Sequence, residues 1–154
     1  MTYDVNRTDE NDPWVTINLN LNDYDISPWL TADGTFGLWL GIGYGTSIMM
    51  SADMTMCFYN FTNTTNDQFI CRDGFISSDR SRLFNETNNI ESNATLLSNF
   101  DFETNTANFS VSFVRPYNGT DFPAVVTEDD YNMDYNLTNT IIPIIWAFGD
   151  IVSG

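Results

Sequence analysis

The sequence contains no histidine and no lysine, so arginine supplies all five basic residues against 21 acidic ones. Without histidine, the Ser-His-Asp triad, the usual proton shuttles and histidine-ligated zinc sites are excluded. The formal charge of −16 at pH 7 opposes binding to nucleic acid or to anionic lipid surfaces, since both require clustered Lys and Arg. We therefore predict no nucleic-acid partner.

Long apolar runs are also missing. No stretch approaches the roughly 20 residues of a transmembrane helix, so we predict no membrane span. Residues 1–5 have neither the basic nor the apolar segment of a signal peptide, so a secreted protein with this sequence is expected to be a mature fragment or a domain cut from a longer precursor. The hydrophobic content of 42% and the aromatic content of 15% favour one folded domain over a disordered acidic tail.

Asparagine and threonine are abundant, and eight asparagines begin an Asn-x-Ser/Thr sequence. This is about twice the number that the composition would give by chance, and a biased composition is the alternative explanation. We interpret the pattern as that of an extracellular, secreted protein whose N-linked glycans occupy exposed positions. The predicted acceptors are Asn6, Asn60, Asn63, Asn85, Asn93, Asn108, Asn118 and Asn136.

The two cysteines, Cys57 and Cys71, flank a polar stretch as expected for a disulfide that ties two neighbouring strands. Closing such a loop contributes roughly 3 kcal/mol in the chain-entropy model, and the bond requires an oxidising compartment. Two buried free thiols are the alternative.

Apolar and polar residues alternate with period two along most of the chain, which predicts β-strands. The predicted strands lie in 14–22, 36–44, 52–59, 96–102, 109–115 and 142–148, with a hairpin turn at 104–106. In the third of these, Met54 and Met56 are assigned to the core face. Only 79–90 is a candidate for a helical turn, and Pro143 predicts an edge or bulged strand at the end of the chain.

Short strands separated by Asn, Asp, Gly and Ser clusters predict an all-β fold, an antiparallel immunoglobulin-like β-sandwich. The domain is expected to cover 14–154. The preceding residues, 1–13, are polar without alternation and are expected to form an N-terminal arm that is flexible or ordered by a neighbour.

Three blocks of sequence resemble the signature of the DOMON family. Residues 37–56, GLWLGIGYGTSIMMSADMTM, are similar to its Trp- and Gly-bearing strand, Met-containing loop and Ala-Asp strand. Residues 113–117, FVRPY, followed by Asp121, are similar to its Phe-x-Arg-Pro-aromatic segment, and residues 144–149, IIWAFG, to its closing strand.

The resemblance implies an extracellular β-sandwich that binds haem b or a sugar. It maps one axial haem ligand onto Met49, with Met50 adjacent, while the second ligand is a histidine that this sequence lacks. Because haem b would lose its imidazole ligand, we predict no cofactor. The alternative is a haem b electron-transfer domain with Met49 as one ligand and the other supplied from outside the chain.

Further candidate sites follow from residue type. Met49, Met50, Met54 and Met56 form the only soft-ligand cluster, although methionine usually fills cores. Acidic groups lack the spacing of an EF-hand, so we expect a solvated surface and no metal site. Those groups contain Asp23, Asp25, Asp33, Glu128, Asp129, Asp130 and Asp134.

Two further predictions concern Arg115 and the aromatic residues. Arg115 shares the parity of inward-facing Phe113 and needs a carboxylate partner, either Asp53 or Asp121. Trp39 faces away from the core row among glycines and is the best candidate for stacking on a sugar. The aromatic set considered is Trp14, Trp29, Trp39, Trp146, Tyr44, Tyr59 and Tyr117.

No motif places two carboxylates across a cleft or gives a serine its base, so we predict no catalytic residues and no enzyme. The first hypothesis is a secreted, heavily N-glycosylated DOMON-like module with a structural or interaction role. Its partners would be N-linked glycans and other copies of itself in an extracellular assembly such as a fibril. A haem b domain and a carbohydrate-binding module are the alternatives.

Overall fold

The computed structural model describes residues 2–6, 14–31, 36–44, 52–61, 68–76, 82–84, 94–116 and 144–152. Within these ranges the chain forms nine strands. The elements are β1 (Thr2–Asn6), β2 (Trp14–Asp25), α1 (Ser27–Thr31), β3 (Phe36–Tyr44), β4 (Ala52–Phe61), β5 (Gln68–Ile76), β6 (Arg82–Phe84), β7 (Thr95–Asp101), β8 (Thr106–Pro116) and β9 (Ile144–Val152).

Two antiparallel sheets pack face to face. One has the strand order β1-β2-β8-β7 and the other β6-β5-β4-β3-β9. Every strand pair is antiparallel. The predicted all-β antiparallel sandwich is therefore confirmed, and the strand that follows Pro143 lies at a sheet edge as predicted.

The N-terminal residues differ from the expected arm. Thr2–Asn6 pairs with β2 and is the outer strand of the four-stranded sheet, so this part of 1–13 belongs to the sandwich. The segment has only two alternating apolar residues, Tyr3 and Val5, and this pattern is too short to predict a strand from the sequence.

The core lies between the two sheets and contains alternate residues of β2, β3, β4, β5 and β8, together with Ile26 and Trp29. β2 and β8 contribute aliphatic and phenylalanine side chains, and β3 contributes the opposite layer. The rows are Val15, Ile17, Leu19 and Leu21, then Phe109, Val111 and Phe113, then Leu38, Leu40, Ile42 and Tyr44. Burial of these apolar side chains is the main stabilising term, at about 25 cal/mol per Å² removed from water.

β4 presents the opposite row to the core from the one that the sequence predicts. Cys57 and Tyr59 belong to the core between the sheets, whereas Met54 and Met56 form a separate apolar cluster with Ile76. The assignment of the two methionines to the core face was wrong because the row that meets the other sheet contains two polar residues, Asp53 and Thr55, which are buried through their bonds to Arg115 and Tyr44. Alternation determines which residues share a face but not which face meets the other sheet.

The one helix among the described elements is α1, a five-residue helix that the sequence did not predict. Asp25 Oδ1 accepts a hydrogen bond from the backbone N–H of Ser27 at 2.8 Å, and this bond satisfies a donor at the start of the helix. The helix turns Trp29 into the core. In 79–90, where a helical turn was a candidate, Arg82–Phe84 instead pairs with β5 as β6; the rest of that segment lies outside the described residues.

Candidate functional site

The outer face of the four-stranded sheet is polar and rich in asparagine. The side chains that alternate with the core row on β2 and β8 lie on this face, and β7 adds Asn99. Ser110 Oγ donates a hydrogen bond to Asn20 Oδ1 across the strand pair at 2.8 Å. The face includes Asn18, Asn20, Asn22, Asn99, Asn108, Ser110 and Ser112.

Asn108, one of the predicted glycan acceptors, lies on this face with an exposed side chain. Its Oδ1 accepts a hydrogen bond from the backbone N–H of Asp23 at 2.9 Å. Asp23 has a positive φ of 53° where the register of β2 shifts between Leu21 and Tyr24. This contact uses the amide oxygen, while the amide nitrogen is the atom to which an N-linked glycan is attached.

The other predicted acceptors are distributed between the sheets and the rest of the chain. Asn60 lies near the end of β4 and is half-buried. Asn6 ends β1. The remaining five, Asn63, Asn85, Asn93, Asn118 and Asn136, lie outside the described residues.

The predicted disulfide is confirmed. Cys57 on β4 and Cys71 on β5 are directly opposite each other and are bonded. Both residues are buried in the core between the sheets. The bond therefore ties the centres of two adjacent strands.

A buried ion pair connects the two sheets at one end of the sandwich. Nη2 of Arg115, on β8, donates to Oδ2 of Asp53, on β4, at 2.8 Å, so Asp53 is the partner and the side chains are each 2% exposed. The guanidinium carbon lies 4.2 Å from the centre of the Tyr44 ring. The other candidate partner, Asp121, lies outside the described residues.

The surroundings keep Arg115 charged and Tyr44 neutral. Burial alone would lower the pKa of Arg115, but the nearby negative charge, first that of Asp53 and then that of Asp73, raises it above its ordinary value. Burial raises the pKa of Tyr44 to about 12, and the Tyr44 hydroxyl donates to Thr55 Oγ1 at 3.3 Å. These groups are buried, so the cluster joins the two sheets within the core.

A small apolar pocket of about 90 Å³ lies against the five-stranded sheet. Apolar side chains, two tryptophans and two methionines among them, make up its wall, and glycines and an alanine open the space between them. The lining residues are Trp39, Gly41, Ile42, Gly43, Met54, Met56, Ile76, Ile145, Trp146 and Ala147.

Trp39 lies on the outer side of the five-stranded sheet, as predicted, and glycines allow its indole to lie over the strands. A Cβ at Gly149, the residue opposite Trp39 on β9, would be 2.8 Å from the indole Nε1. A Cβ at Gly41 would be 3.7 Å from the indole Cζ3. The ring is half-buried against the cluster of Met54 and Met56, so it is less open than the sequence predicts.

The described residues do not fit haem b. The chain has no imidazole ligand, and the pocket beside Met54 and Met56 is far smaller than the roughly 300–1,000 Å³ of sites that enclose drug-sized ligands. The mapped ligand Met49 and its neighbour Met50 lie outside the described residues.

Among the acidic candidates, two have local structural roles. Asp23 is in the bulge beside Asn108, and Asp25 bonds the start of α1. In the described part of the chain, no three Asp, Glu or Cys residues are arranged to hold a metal ion. Asp33, Tyr117, Glu128, Asp129, Asp130 and Asp134 lie outside it.

The remaining aromatic candidates separate into core and surface. Trp29 and Tyr59 pack with Phe109 in the core, with ring centres 5.6–6.4 Å apart. Trp14 begins β2 and is half-buried, whereas Trp146 is exposed on β9. The sequence did not predict this exposure, because Trp146 belongs to an alternating apolar row of the kind that usually faces a core. In the structure it lies opposite the buried Ile42 of β3.

None of the helices found among the described residues has the length and apolar character needed to cross a membrane. No protein-family model, no curated protein and no solved structure matches the chain.

Proposed function

We propose that the chain is a secreted, N-glycosylated, DOMON-like β-sandwich module with a non-catalytic interaction role. The observation that carries the proposal is the contrast between the outer face of the four-stranded sheet and the edge of the five-stranded sheet at β9. The first exposes Asn, Ser and Thr side chains around the predicted acceptor Asn108, together with Leu97. The second bears the exposed aromatic residues Trp146 and Phe148, next to the apolar pocket.

The chemistry of the chain supports the secreted, glycosylated part of the proposal. The Cys57–Cys71 disulfide is compatible with an oxidising compartment. The side chain of Asn108 is exposed, which suits a bulky N-linked glycan. A glycan there would shield one face of the molecule and leave contacts to the other.

The DOMON-like part rests on how the three sequence blocks are placed. The first block contributes to β3 and β4, the second ends β8 and the third begins β9. Arg115 of the second block and Asp53 of the first form the buried ion pair. The residues that carry the resemblance therefore meet in one structural unit.

The interaction role rests on the apolar character of the edge of the five-stranded sheet at β9. Trp146 and Phe148 stack with ring centres 6.3 Å apart and planes 10° apart while both remain exposed. Aromatic residues of this kind are enriched where proteins contact partners. The buried charges near Arg115 offer no reactive group to solvent, which favours contact over catalysis.

The test is site-resolved mass spectrometry of the protein secreted from eukaryotic cells. Asn108→Gln is expected to remove one glycan, and Ser110→Ala is expected to do the same while retaining the asparagine. The matched control is Asn99→Gln, because Asn99 lies directly opposite Asn108 on β7 but does not begin an acceptor sequence. An unmodified Asn108 in the secreted wild-type protein would argue against this surface as the glycosylated one.

Carbohydrate recognition is a second candidate, favoured by the indole of Trp39 lying over Gly41 and Gly149 at the apolar pocket. Sugars bind proteins in part by stacking on such rings. Titration of oligosaccharides against tryptophan fluorescence tests this, with Trp39→Ala as the site variant and Trp14→Phe as the control. Saturable quenching that Trp39→Ala removes would support it, and no response in the wild type would contradict it.

A further inference from the structure

β9 is a long edge strand with few of the features that usually prevent edge pairing; the one it has is the charge of Asp150, which lies opposite the buried Leu38. It pairs with β3 over all nine residues without a register shift, and no described strand pairs with its other side. Natural edge strands are commonly protected by lysine, proline, a bulge or short length. Within 144–152 there is no lysine and no proline.

The side chains of β9 reinforce this. Trp146 and Phe148 lie opposite the buried residues Ile42 and Leu40 of β3, and yet they are 45% and 39% exposed. They continue the core row of the sheet to its edge, where cover from the other sheet is incomplete. Tyr24 contacts Phe148 edge-on, with ring centres 6.0 Å apart.

Charge favours a neutral contact at this edge. The whole chain carries a formal charge of −16, so two copies repel each other over most of their surfaces. β9 has one charged residue, Asp150, and its carboxylate accepts hydrogen bonds from Tyr24 and Trp29 of the same chain. Two copies that meet at β9 therefore repel each other less than two copies that meet at their acidic surfaces.

We propose that β9 pairs antiparallel with β9 of a second copy of this chain, joining the two five-stranded sheets across a two-fold axis. A second copy supplies a strand that is already ordered, so pairing avoids the entropy cost of ordering a flexible peptide. In a register that places even-numbered residues of one β9 opposite even-numbered residues of the other, Trp146 and Phe148 of both copies lie on the same face of the joined sheet. There they cover each other. This proposal rests on the interaction role proposed above and names the partner.

The experiment is sedimentation equilibrium of the full secreted chain from micromolar to hundreds of micromolar concentration. The wild type is expected to show a monomer–dimer equilibrium that strengthens with added salt, because salt screens the repulsion between copies. Trp146→Lys is expected to raise the dimer Kd at least about tenfold. Leu97→Lys is the matched control: Leu97 is 74% exposed on β7, an edge of the other sheet, and the change should leave Kd within about twofold.

Hydrogen exchange of the wild type gives a second readout that does not depend on how well a variant folds. Amides of β9 are expected to gain protection as concentration rises, while those of β7 should not. A wild type that stays monomeric overturns the pairing, as does a dimer that is indifferent to Trp146→Lys and leaves β9 exchange unchanged. Glycan analysis of the same samples separates the proposals, because a glycosylated monomer overturns only the pairing and an unglycosylated dimer overturns only the proposed glycoprotein.

Discussion

A single side chain, Arg115, joins the two sheets through Asp53 and the Tyr44 ring. Burying two charges is costly, so such a pair adds less stability than its short distance suggests, but breaking it leaves one charge buried without compensation. Replacing Arg115 is therefore expected to lower the free energy of unfolding by more than the ion pair adds to it.

We predict that Arg115→Met lowers the free energy of unfolding by about 3–5 kcal/mol, because the Asp53 carboxylate would lose its cation. Urea denaturation measures this loss. The control Glu103→Met, at an exposed position of the turn between β7 and β8, is expected to change stability by about 0.5 kcal/mol or less. The double variant Arg115→Met with Asp53→Asn should lose less than the two single losses added together, and strict additivity would contradict the pairing.

Tyr44 makes a prediction about alkaline pH. Burial raises its pKa from 10.0 to about 12, so the unfolded chain releases this proton before the folded one does. The stability from the neutral phenol is fully present below pH 10 and is lost as pH rises toward 12.

The measurement is the free energy of unfolding of the wild type and of Tyr44→Phe across that pH range. The variant should lose less stability on alkalinisation, because it has no proton to release. The comparison isolates Tyr44 from Tyr24, whose pKa burial also raises. Equal losses in the two proteins would show that Tyr44 is not the group responsible.

At the scale of elements, sequence alternation predicted some strands accurately and assigned one face wrongly. β3 spans the predicted 36–44 because its apolar row alternates with glycines and Trp39. β4 was placed correctly, but its core-facing row contains the polar residues Asp53 and Thr55, so the local pattern favoured the wrong row. α1 is a single turn, too short to show a helical period.

The candidate site was predictable to a similar degree. The disulfide followed from spacing and polarity, and the Arg115 partner was narrowed to two aspartates of which Asp53 is the one bonded. The exposure of Trp146 was not predictable, because it depends on where the opposing sheet ends. The local sequence pattern predicts which residues share a face of a strand. Whether the opposing sheet covers that face depends on the tertiary structure.

The β4–β5 pair provides the prediction at this scale. Replacing both cysteines, Cys57→Ser with Cys71→Ser, should lower the free energy of unfolding by about 2–4 kcal/mol, because the unfolded chain regains the entropy that the bond removes. Urea denaturation with and without reductant measures it. Reductant should destabilise the wild type and leave the double variant unchanged; alkylation of thiols in the unfolded, non-reduced wild type would contradict the bond.

At the scale of the whole molecule, the sandwich combines strong acidity with two unlike outer surfaces. One sheet exposes the acceptor Asn108 among other polar residues, and the other bears Trp39, the apolar pocket and the unprotected edge strand β9. Acidity favours solubility of single copies and restricts association to neutral surfaces. We propose that glycans occupy the first surface and that contacts form at the second.

The net charge of −16 predicts a salt dependence of stability. Raising sodium chloride from about 0.01 M to about 0.15 M shortens the Debye length from roughly 30 Å to roughly 8 Å, so repulsion among surface carboxylates weakens. The melting temperature should rise, and choline chloride should act as sodium chloride does if screening is the cause. A fall in melting temperature would show that favourable surface ion pairs outweigh the repulsion.

The proposed secretion and N-glycosylation of this module are tested most directly by the intact mass of the secreted, non-reduced chain. We predict a mass above that of the bare polypeptide that falls by whole N-glycans on glycosidase treatment, with Asn108 among the residues converted to aspartate. The remaining mass should equal that of the polypeptide less two hydrogens, for the Cys57–Cys71 bond, plus the small gain from each asparagine converted to aspartate. A secreted chain with the bare polypeptide mass and no change on glycosidase treatment would contradict the account.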